Sequence, residues 1–323
     1  MEGEELRVLE LYSGVGGMHL ALSTAFPQSQ YRIVAAVDIN SGGNTVYHHN
    51  FPSVKPQSRM LYFELTDQSV PTLPAVYKKG SQDTRSKSFL HILSVLPLLK
   101  QKPLYILMEN VKGFEESDSR DMMIQQLTQC DYQYREFLLN PTQYRIPNSR
   151  LRYYMVAKLL PQPFLDQNDG SILYAVPGDS RCAIEESEDC HTIDNYLEDI
   201  PVDSELRVPV DTIKRYGLVS DLVRPKSRRT NCFTKNYAAY MEGTGSLLIL
   251  SDEEGPWKNG EAMMHLCIRY FSPKEIANLM GFPATFSFPS GMSRTQLYKL
   301  MGNSLNVYVV SRLLRYLFNC WDE

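Results

Sequence analysis

Apolar residues gather first at Leu6–Leu11, stop at the glycine-rich stretch Ser13-Gly-Val-Gly-Gly17, and resume at helical spacing from Met18 to Ala25. A second short run, Ile33–Val37, ends at Asp38. Strand, tight turn, helix and strand in that order make the βαβ unit of a parallel sheet. Further strands are predicted at Tyr105–Met108 and Tyr153–Leu159. Phe89–Leu99 and Arg120–Gln129 repeat apolar residues every three or four positions, as amphipathic helices do. Through about residue 160 the pattern is α/β.

After Pro161 the pattern changes. Residues 163–205 are acidic and weakly periodic, with scattered Pro, Gly and Ser. Residues 224–235 form the one dense basic stretch. Pro273–Gly281 reads as a helix ended by a glycine cap, and Asn306–Phe318 as a terminal helix. A smaller lobe is expected over 163–296, with 1–162 and 297–323 forming the main domain.

The 323 residues are 43% hydrophobic and 22% charged, which suits a full core and excludes a disordered chain. Six cysteines show no CxxC pair and no zinc spacing, so no metal is expected. Met1-Glu-Gly-Glu-Glu lacks the basic-then-apolar pattern of a signal peptide, and no apolar run approaches a membrane span. The expectation is a reduced monomeric protein of the cytoplasm, and of the nucleus as a second location, with no membrane partner. The net charge of −4 gives no general basic field, so any nucleic-acid site must be a local patch.

Four short motifs carry candidate chemistry. In Glu10-Leu-Tyr-Ser-Gly-Val-Gly-Gly17, glycines at a strand-to-helix turn let a ligand approach the backbone, and Asp38 can bind ribose hydroxyls. A tight turn with a solvated aspartate fits the same residues. Glu109-Asn-Val111 follows an apolar strand, where a carboxyl group points into the ligand crevice; a helix cap is the alternative. Arg150 and Arg152, two apart on an extended segment, point to one side and suit phosphate, or form a solvated basic face. Gly302-Asn-Ser-Leu-Asn306 reads as a turn into the terminal helix.

In this order the motifs resemble those of the cytosine-C5 methyltransferases. The resemblance implies a doubly wound, mostly parallel Rossmann-like methyltransferase sheet with a target-recognition lobe, and S-adenosylmethionine as cofactor. It assigns cofactor binding to Tyr12, Ser13, Gly14, Val15, Gly16, Gly17, Met18, Asp38, Ile39, Asn303 and Ser304. It assigns the target base to Glu109 and Asn110, and the pocket arginines to Arg150 and Arg152. The segment Cys232-Phe-Thr-Lys-Asn-Tyr-Ala-Ala-Tyr-Met-Glu-Gly-Thr-Gly-Ser246 is similar to the signature of the type-2 DNA methyltransferase branch, whose members act chiefly on an anticodon-loop cytosine of tRNA-Asp. Ile146–Tyr153 and Arg269–Asn278 fit the same branch. This implies tRNA contacts for Cys232, Phe233, Thr234, Lys235 and Tyr237. Arg228 and Arg229, in the basic stretch, are expected on the tRNA backbone. DNA is a weaker alternative substrate, and a catalytically dead binding paralogue is the alternative to an enzyme.

The family's chemistry starts with a cysteine thiolate adding to cytosine C6, which makes C5 nucleophilic enough to take a methyl group. The target base must leave its stack to be reached. The family's cysteine stands in a Pro-Pro-Cys-Gln-Pro-Phe motif, but residues 54–88 contain no cysteine. What stands there is Pro71-Thr-Leu-Pro-Ala-Val-Tyr-Lys-Lys-Gly80. One legal back-translation is CCC ACC TTG CCA GCC GTT TAC AAG AAA GGG. Read one base later it gives Pro-Pro-Cys-Gln-Pro-Phe-Thr-Arg-Lys. The expectation is a local frame error that opens before Pro71 and closes by about Asp83; the alternative is a true loss of the nucleophile. Either way the printed chain is expected to be impaired, with local disorder over residues 56–82.

Overall fold

The computed structural model describes residues 5–58, 69–73, 87–166, 170–183, 189–201, 204–251, 253 and 255–321. In chain order its elements are β1 (Leu6–Leu11), α1 (Gly17–Ala25), β2 (Tyr31–Val37), α2 (Ser41–Asn50), β3 (Ser69–Leu73), α3 (Lys87–Val95) and β4 (Tyr105–Val111). There follow α4 (Asp118–Gln129), β5 (Tyr132–Leu139), β6 (Arg152–Leu159), β7 (Ile172–Leu173), α5 (Val210–Tyr216) and β8 (Asp221–Val223). The chain ends with β9 (Ser246–Ile249), β10 (Ile268–Arg269), α6 (Pro273–Leu279), α7 (Arg294–Gly302) and α8 (Val307–Phe318). Two compact units result. The first comprises residues 1–140, 151–184 and 307–323, and the second 141–150 and 185–306.

The first unit holds a seven-stranded sheet in the order β2-β1-β3-β4-β6-β5-β7. β2, β1, β3 and β4 run parallel, and β6 lies antiparallel between β4 and β5. This is the expected doubly wound, mostly parallel α/β sheet. β1 is mostly apolar, interrupted by Arg7 and Glu10, and Val8 and Leu9, which face opposite sides of the sheet, are both buried. Leu9 and Leu11 share a core with Ile106 and Met108 of β4, Phe89 and Leu93 of α3, and Met123 and Leu127 of α4. Elsewhere in the unit α8 lies along α1, with Phe26 and Phe318 edge to face at 5.2 Å.

Three elements of this unit escape the hydrophobic pattern. β3 falls inside the segment expected to be disordered; residues 69–73 are instead a strand between β1 and β4, while 59–68 and 74–86 lie outside the described residues. β5 carries Arg135 and Glu136 in mid-strand, yet both are buried. Arg120 of α4 makes two bonds to Glu136, and Arg135 pairs with Asp166 at 2.8 Å. α2 begins Ser-Gly-Gly-Asn, with little apolar signal; it is started by Asn40, whose side chain accepts from Gly43 N.

Composition puts a boundary at 162, whereas contacts keep 151–184 in the first unit. The reason is electrostatic. The acidic character of this stretch includes Asp166, which also accepts from Tyr316 of α8, and Asp179, which forms a buried two-bond pair with Arg312 of α8. These carboxylates bind the stretch to the main sheet and its last helix.

In the second unit, β9 pairs parallel with β8 and antiparallel with β10. α6 forms as expected: Ser272 and Glu275 make a reciprocal capping box, and Gly281 (φ 77°) takes the left-handed conformation past the helix end. Glu275 is fully enclosed and accepts both terminal nitrogens of Arg269 at 2.8 and 2.7 Å. α7, started by a reciprocal capping box of Ser293 and Gln296, leads into the turn before the terminal helix.

Candidate active site

The glycine turn lies at the C-terminal end of β1. Gly14 and Gly16 have φ of 53° and 91°, and a Cβ on Gly14 would meet no atom closer than 4.0 Å. Tyr12 also holds a positive φ, 58°, which costs a non-glycine residue of order 1–3 kcal/mol and is a frequent mark of ligand sites. Asp38 ends β2 and ties two turns together: Oδ2 accepts from Gly14 N at 2.8 Å, and Oδ1 from Asn40 N at 2.7 Å. Burial raises the pKa of this carboxyl group and the two backbone bonds oppose that shift. Ile39 beside it is 88% exposed, an apolar side chain open to a planar ring. The Ser13 hydroxyl is buried with no hydrogen-bond partner. An open glycine, an exposed isoleucine, an anchored carboxylate and an unsatisfied hydroxyl fit a nucleoside cofactor. Val15 and Met18 are buried side chains, so only their backbone is available to a ligand.

Beneath this turn sits a buried polar chain. Tyr47 donates its hydroxyl to Glu10 Oε2 at 2.7 Å, and His19 Nδ1 lies 2.9 Å from the same hydroxyl. The His19 ring stacks on Phe51 at 3.7 Å, and a Cβ on Gly16 would strike Phe51 at 2.6 Å, so these rings form the floor of the turn. Burial pushes the Glu10 carboxyl up to about 8, opposed by the Tyr47 bond, and pushes the His19 imidazole down to about 4. Folded Glu10 therefore keeps its proton between pH 4.5 and 8 where the unfolded chain releases it, so stability falls as pH rises through that window. Folded His19 refuses a proton that the unfolded chain takes below 6.5, so stability also falls as pH drops from 6.5 to 4. The slopes oppose each other below 6.5, and above it Glu10 acts alone. Glu10→Gln is expected to abolish a loss of about 2 kcal/mol between pH 6.5 and 8, at about 1.4 kcal/mol per unit. Urea unfolding at the two pH values measures this; an unchanged slope in the variant would refute a neutral Glu10.

The second cluster stands at the C-terminal end of β4. Glu109, Asn110 and Val111 belong to the strand itself rather than to the turn after it. Glu109 Oε1 lies 3.4 Å from Arg152 Nε, the first residue of β6, and each side chain is 16% exposed. Asn110 is enclosed; its Oδ1 accepts from Val111 N and its Nδ2 has no partner. β3 ends alongside, with Leu73 opposite Met108 in the parallel register. Strands in a sheet are about 4.8 Å apart, so the backbone of residue 73 ends beside that of Glu109.

The remaining residues lie in the second unit, and several correct the expectation. Arg150 does not share a strand face with Arg152: β6 begins only at Arg152, so strand alternation does not reach Arg150. Its guanidinium is buried and donates to Cys232 Sγ and Phe233 O, each at 3.3 Å, and to the carbonyls of Gly302 and Ser304. Phe233 and Tyr237 are core residues, not a surface for tRNA. Their rings meet edge to face at 5.0 Å, and Tyr237 donates to Ser246 O and accepts from Phe271 N. Cys232 is half-buried, and Thr234 and Lys235 are in backbone contact range of Gly302. Asn303 caps the C-terminal end of α7, and Ser304 follows it. In the basic stretch, Arg228 donates to Cys190 O and Arg229 pairs with Asp221 at 2.9 Å, while Arg224 and Lys226 bind carbonyls of 251 and 253 and Asp194. Much of that positive charge is spent on local structure. Among the described residues no group of side chains could hold a metal ion, and no helix is long and apolar enough to cross a membrane.

A family profile described as C-5 cytosine-specific DNA methylase matches residues 74–319. The chain belongs to the cytosine-C5 methyltransferases. The human protein named tRNA (cytosine(38)-C(5))-methyltransferase is 38% identical over 98% of this chain and all of its own length. The solved Dnmt2 methyltransferase of S. pombe superposes with a TM-score of 0.84 at 37% identity, covering 98% of this chain and 99% of that one. A Dictyostelium discoideum relative named DNA (cytosine-5)-methyltransferase is 33% identical over 99% of this chain and 96% of its own. The Glu109–Arg152 pair stands at the C-terminal end of a central strand. Sequence reasoning missed two supporting parts: the Glu10–Tyr47–His19 chain, signalled only by a glutamate inside an apolar run, and the end of β3 beside Glu109.

Proposed function

We propose that this protein, read in its intact frame, is an S-adenosylmethionine-dependent tRNA cytosine-C5 methyltransferase acting on the anticodon loop of tRNA-Asp. The observation that carries the reading is the juxtaposition at the C-terminal ends of the central strands: β3 ends opposite Met108, next to the Glu109–Arg152 pair. The shifted frame writes its cysteine at position 73, the last residue of β3. The names of the human and S. pombe relatives favour tRNA; that of the Dictyostelium relative keeps DNA as the rival substrate.

Asp38, Ile39 and the backbone of 12–18 would hold the cofactor. S-adenosylmethionine, when bound, supplies an electrophilic methyl group. In the intact frame a thiolate at residue 73 would add to C6 of a flipped cytosine and make C5 nucleophilic enough to take the methyl group; loss of the C5 proton to a base would then expel the thiolate and restore the ring. Glu109 holds N3 and the exocyclic amine of the base. Arg152 keeps that carboxyl group aimed through the 3.4 Å contact of its Nε, while its Nη1 donates to Leu151 O.

The test is methyl incorporation by the frame-restored chain into tRNA-Asp and into duplex DNA. Transfer to tRNA-Asp supports the reading; transfer to DNA alone replaces it with the rival. Glu109→Gln in the restored chain is expected to lower kcat about a hundredfold, in line with loss of one well-placed catalytic hydrogen bond. Wild-type kcat in that variant would remove Glu109 from the chemistry.

A further inference from the structure

The segment 232–246 carries three aromatic side chains, and they are used differently. Phe233 and Tyr237 lie in the core of the second unit, whereas the Tyr240 ring is 66% exposed and takes no part in their edge-to-face cluster. The loop that carries Tyr240 is nevertheless held tightly. Thr234 N donates to Thr244 O at 2.9 Å and closes the loop at its base. Within it Ala239 N and Tyr240 N both donate to Asn236 O, at 2.9 and 3.1 Å, and Thr244 Oγ1 donates to Tyr240 O at 2.6 Å. Gly245 fixes the exit, because a Cβ there would strike Phe233 and Tyr237, each at 2.7 Å. Just past Tyr240, Met241 Sδ accepts from the Tyr270 hydroxyl at 3.4 Å, and Arg294 is near enough to Tyr270 to act on it electrostatically. Ala238 takes a left-handed φ of 63°, which costs free energy in a residue with a Cβ and persists only where the surroundings enforce it. Burial of the ring that this strained turn presents does not offset the cost, since the ring stays in water.

We infer that Tyr240 is a stacking platform for an unpaired nucleobase of the RNA substrate, held out by a loop that Phe233 and Tyr237 anchor from beneath. The inference rests on the reading of this protein as a tRNA methyltransferase. A nucleobase offers a flat π face that matches the ring, and a tyrosine side chain has only two torsions to fix when it stacks. The loop is already ordered by its own hydrogen bonds, so little further freedom is lost on binding. Single-stranded loops are where RNA presents splayed bases, and aromatic side chains are their common partners. Stacking reads the face of a base and not its edge, so Tyr240 adds affinity for unpaired RNA without selecting its sequence.

Equilibrium binding of tRNA-Asp tests this on the chain as it stands, because binding does not need the nucleophile. Tyr240→Ala is expected to bind about tenfold more weakly, and Tyr240→Phe, which keeps the ring face, to stay within about twofold of the unsubstituted protein. Tyr174→Ala, which removes a tyrosine 60% exposed in the first unit, is the control and is expected to change nothing. The slope of log K against log salt is expected to be the same with and without the Tyr240 ring, because no phosphate contact is lost. Fully paired duplex RNA has no free base face, so its binding is expected to be indifferent to Tyr240→Ala. Tyr240→Leu, bulky but without a π face, guards against a loop loosened by alanine and is expected to be as weak as Tyr240→Ala. Parental affinity of Tyr240→Ala or Tyr240→Leu for tRNA-Asp overturns the inference and leaves the RNA reading standing. A Tyr240→Phe protein as weak as Tyr240→Ala, a shallower salt slope, or an equal loss on duplex RNA overturns stacking as the contact. If the unsubstituted protein fails to bind tRNA-Asp, the RNA reading itself falls and takes the inference with it.

Discussion

Restoring the shifted motif is expected to raise methyl transfer to tRNA-Asp by at least about a thousandfold. The substitutions are Thr72→Pro, Leu73→Cys, Pro74→Gln, Ala75→Pro, Val76→Phe, Tyr77→Thr and Lys78→Arg. The magnitude follows from covalent catalysis. Removing the nucleophile from such a site costs on the order of a millionfold in kcat, because the remaining groups then act on a reaction with no easy first step. Thr72 is no substitute, since an unactivated hydroxyl is a much weaker nucleophile than a thiolate. β3 already ends between β1 and β4, one residue short of Glu109 in the register. Incorporation of labelled methyl groups measures the effect. Equal rates for the two chains would mean that another residue attacks C6. A coding sequence that reads Pro-Thr-Leu-Pro, together with an inert restored chain, would make this a binding protein.

The second large effect concerns stability. Gly302→Ala is expected to destabilise the fold by about 3 kcal/mol or more, at the upper end of overpacking costs. The added Cβ would lie 2.1 Å from Lys235 N, 2.2 Å from Thr234 C and 2.5 Å from Thr234 O. These are backbone atoms, with no rotamer that moves them aside. Either α7 shifts or the segment 232–235 does, and the Arg150 hydrogen bonds are lost with it. Gly243→Ala separates this steric cost from a conformational one. Gly243 has φ of 67° but nothing within 4 Å of a Cβ, so its substitution is expected to cost only about 1 kcal/mol. Urea unfolding of both variants gives the comparison; a Gly302→Ala protein as stable as Gly243→Ala would show that the junction is loosely packed.

Much of the fold is legible in the order of residues. β1, the glycine turn, α1 and β2 announce themselves because a parallel strand buried on both faces must be mostly apolar, and a sharp turn needs glycine. α6 shows in Ser272-Pro-Lys-Glu275, where cap, first-turn proline and return carboxylate are all local. Glu109 and Arg152, drawn from separate motifs, prove to be neighbours across β4 and β6. The strand, turn and cap features depend on interactions within one element or between successive ones.

What the sequence leaves open are the partners of charged and polar groups. Arg135 and Glu136 break the strand pattern of β5, and they are tolerated there because Asp166 and Arg120 arrive from elsewhere in the chain. Phe233 and Tyr237 carry the family signature, but the tertiary structure spends them on an aromatic core. Arg150 and Arg152 look equivalent in sequence. One lies on a strand beside Glu109; the other meets a carbonyl 154 positions away. Periodicity records whether a position faces the interior. It carries no record of which distant donor or acceptor is waiting there, and that pairing decides which arginine meets the base-holding carboxyl group and which one holds the protein together.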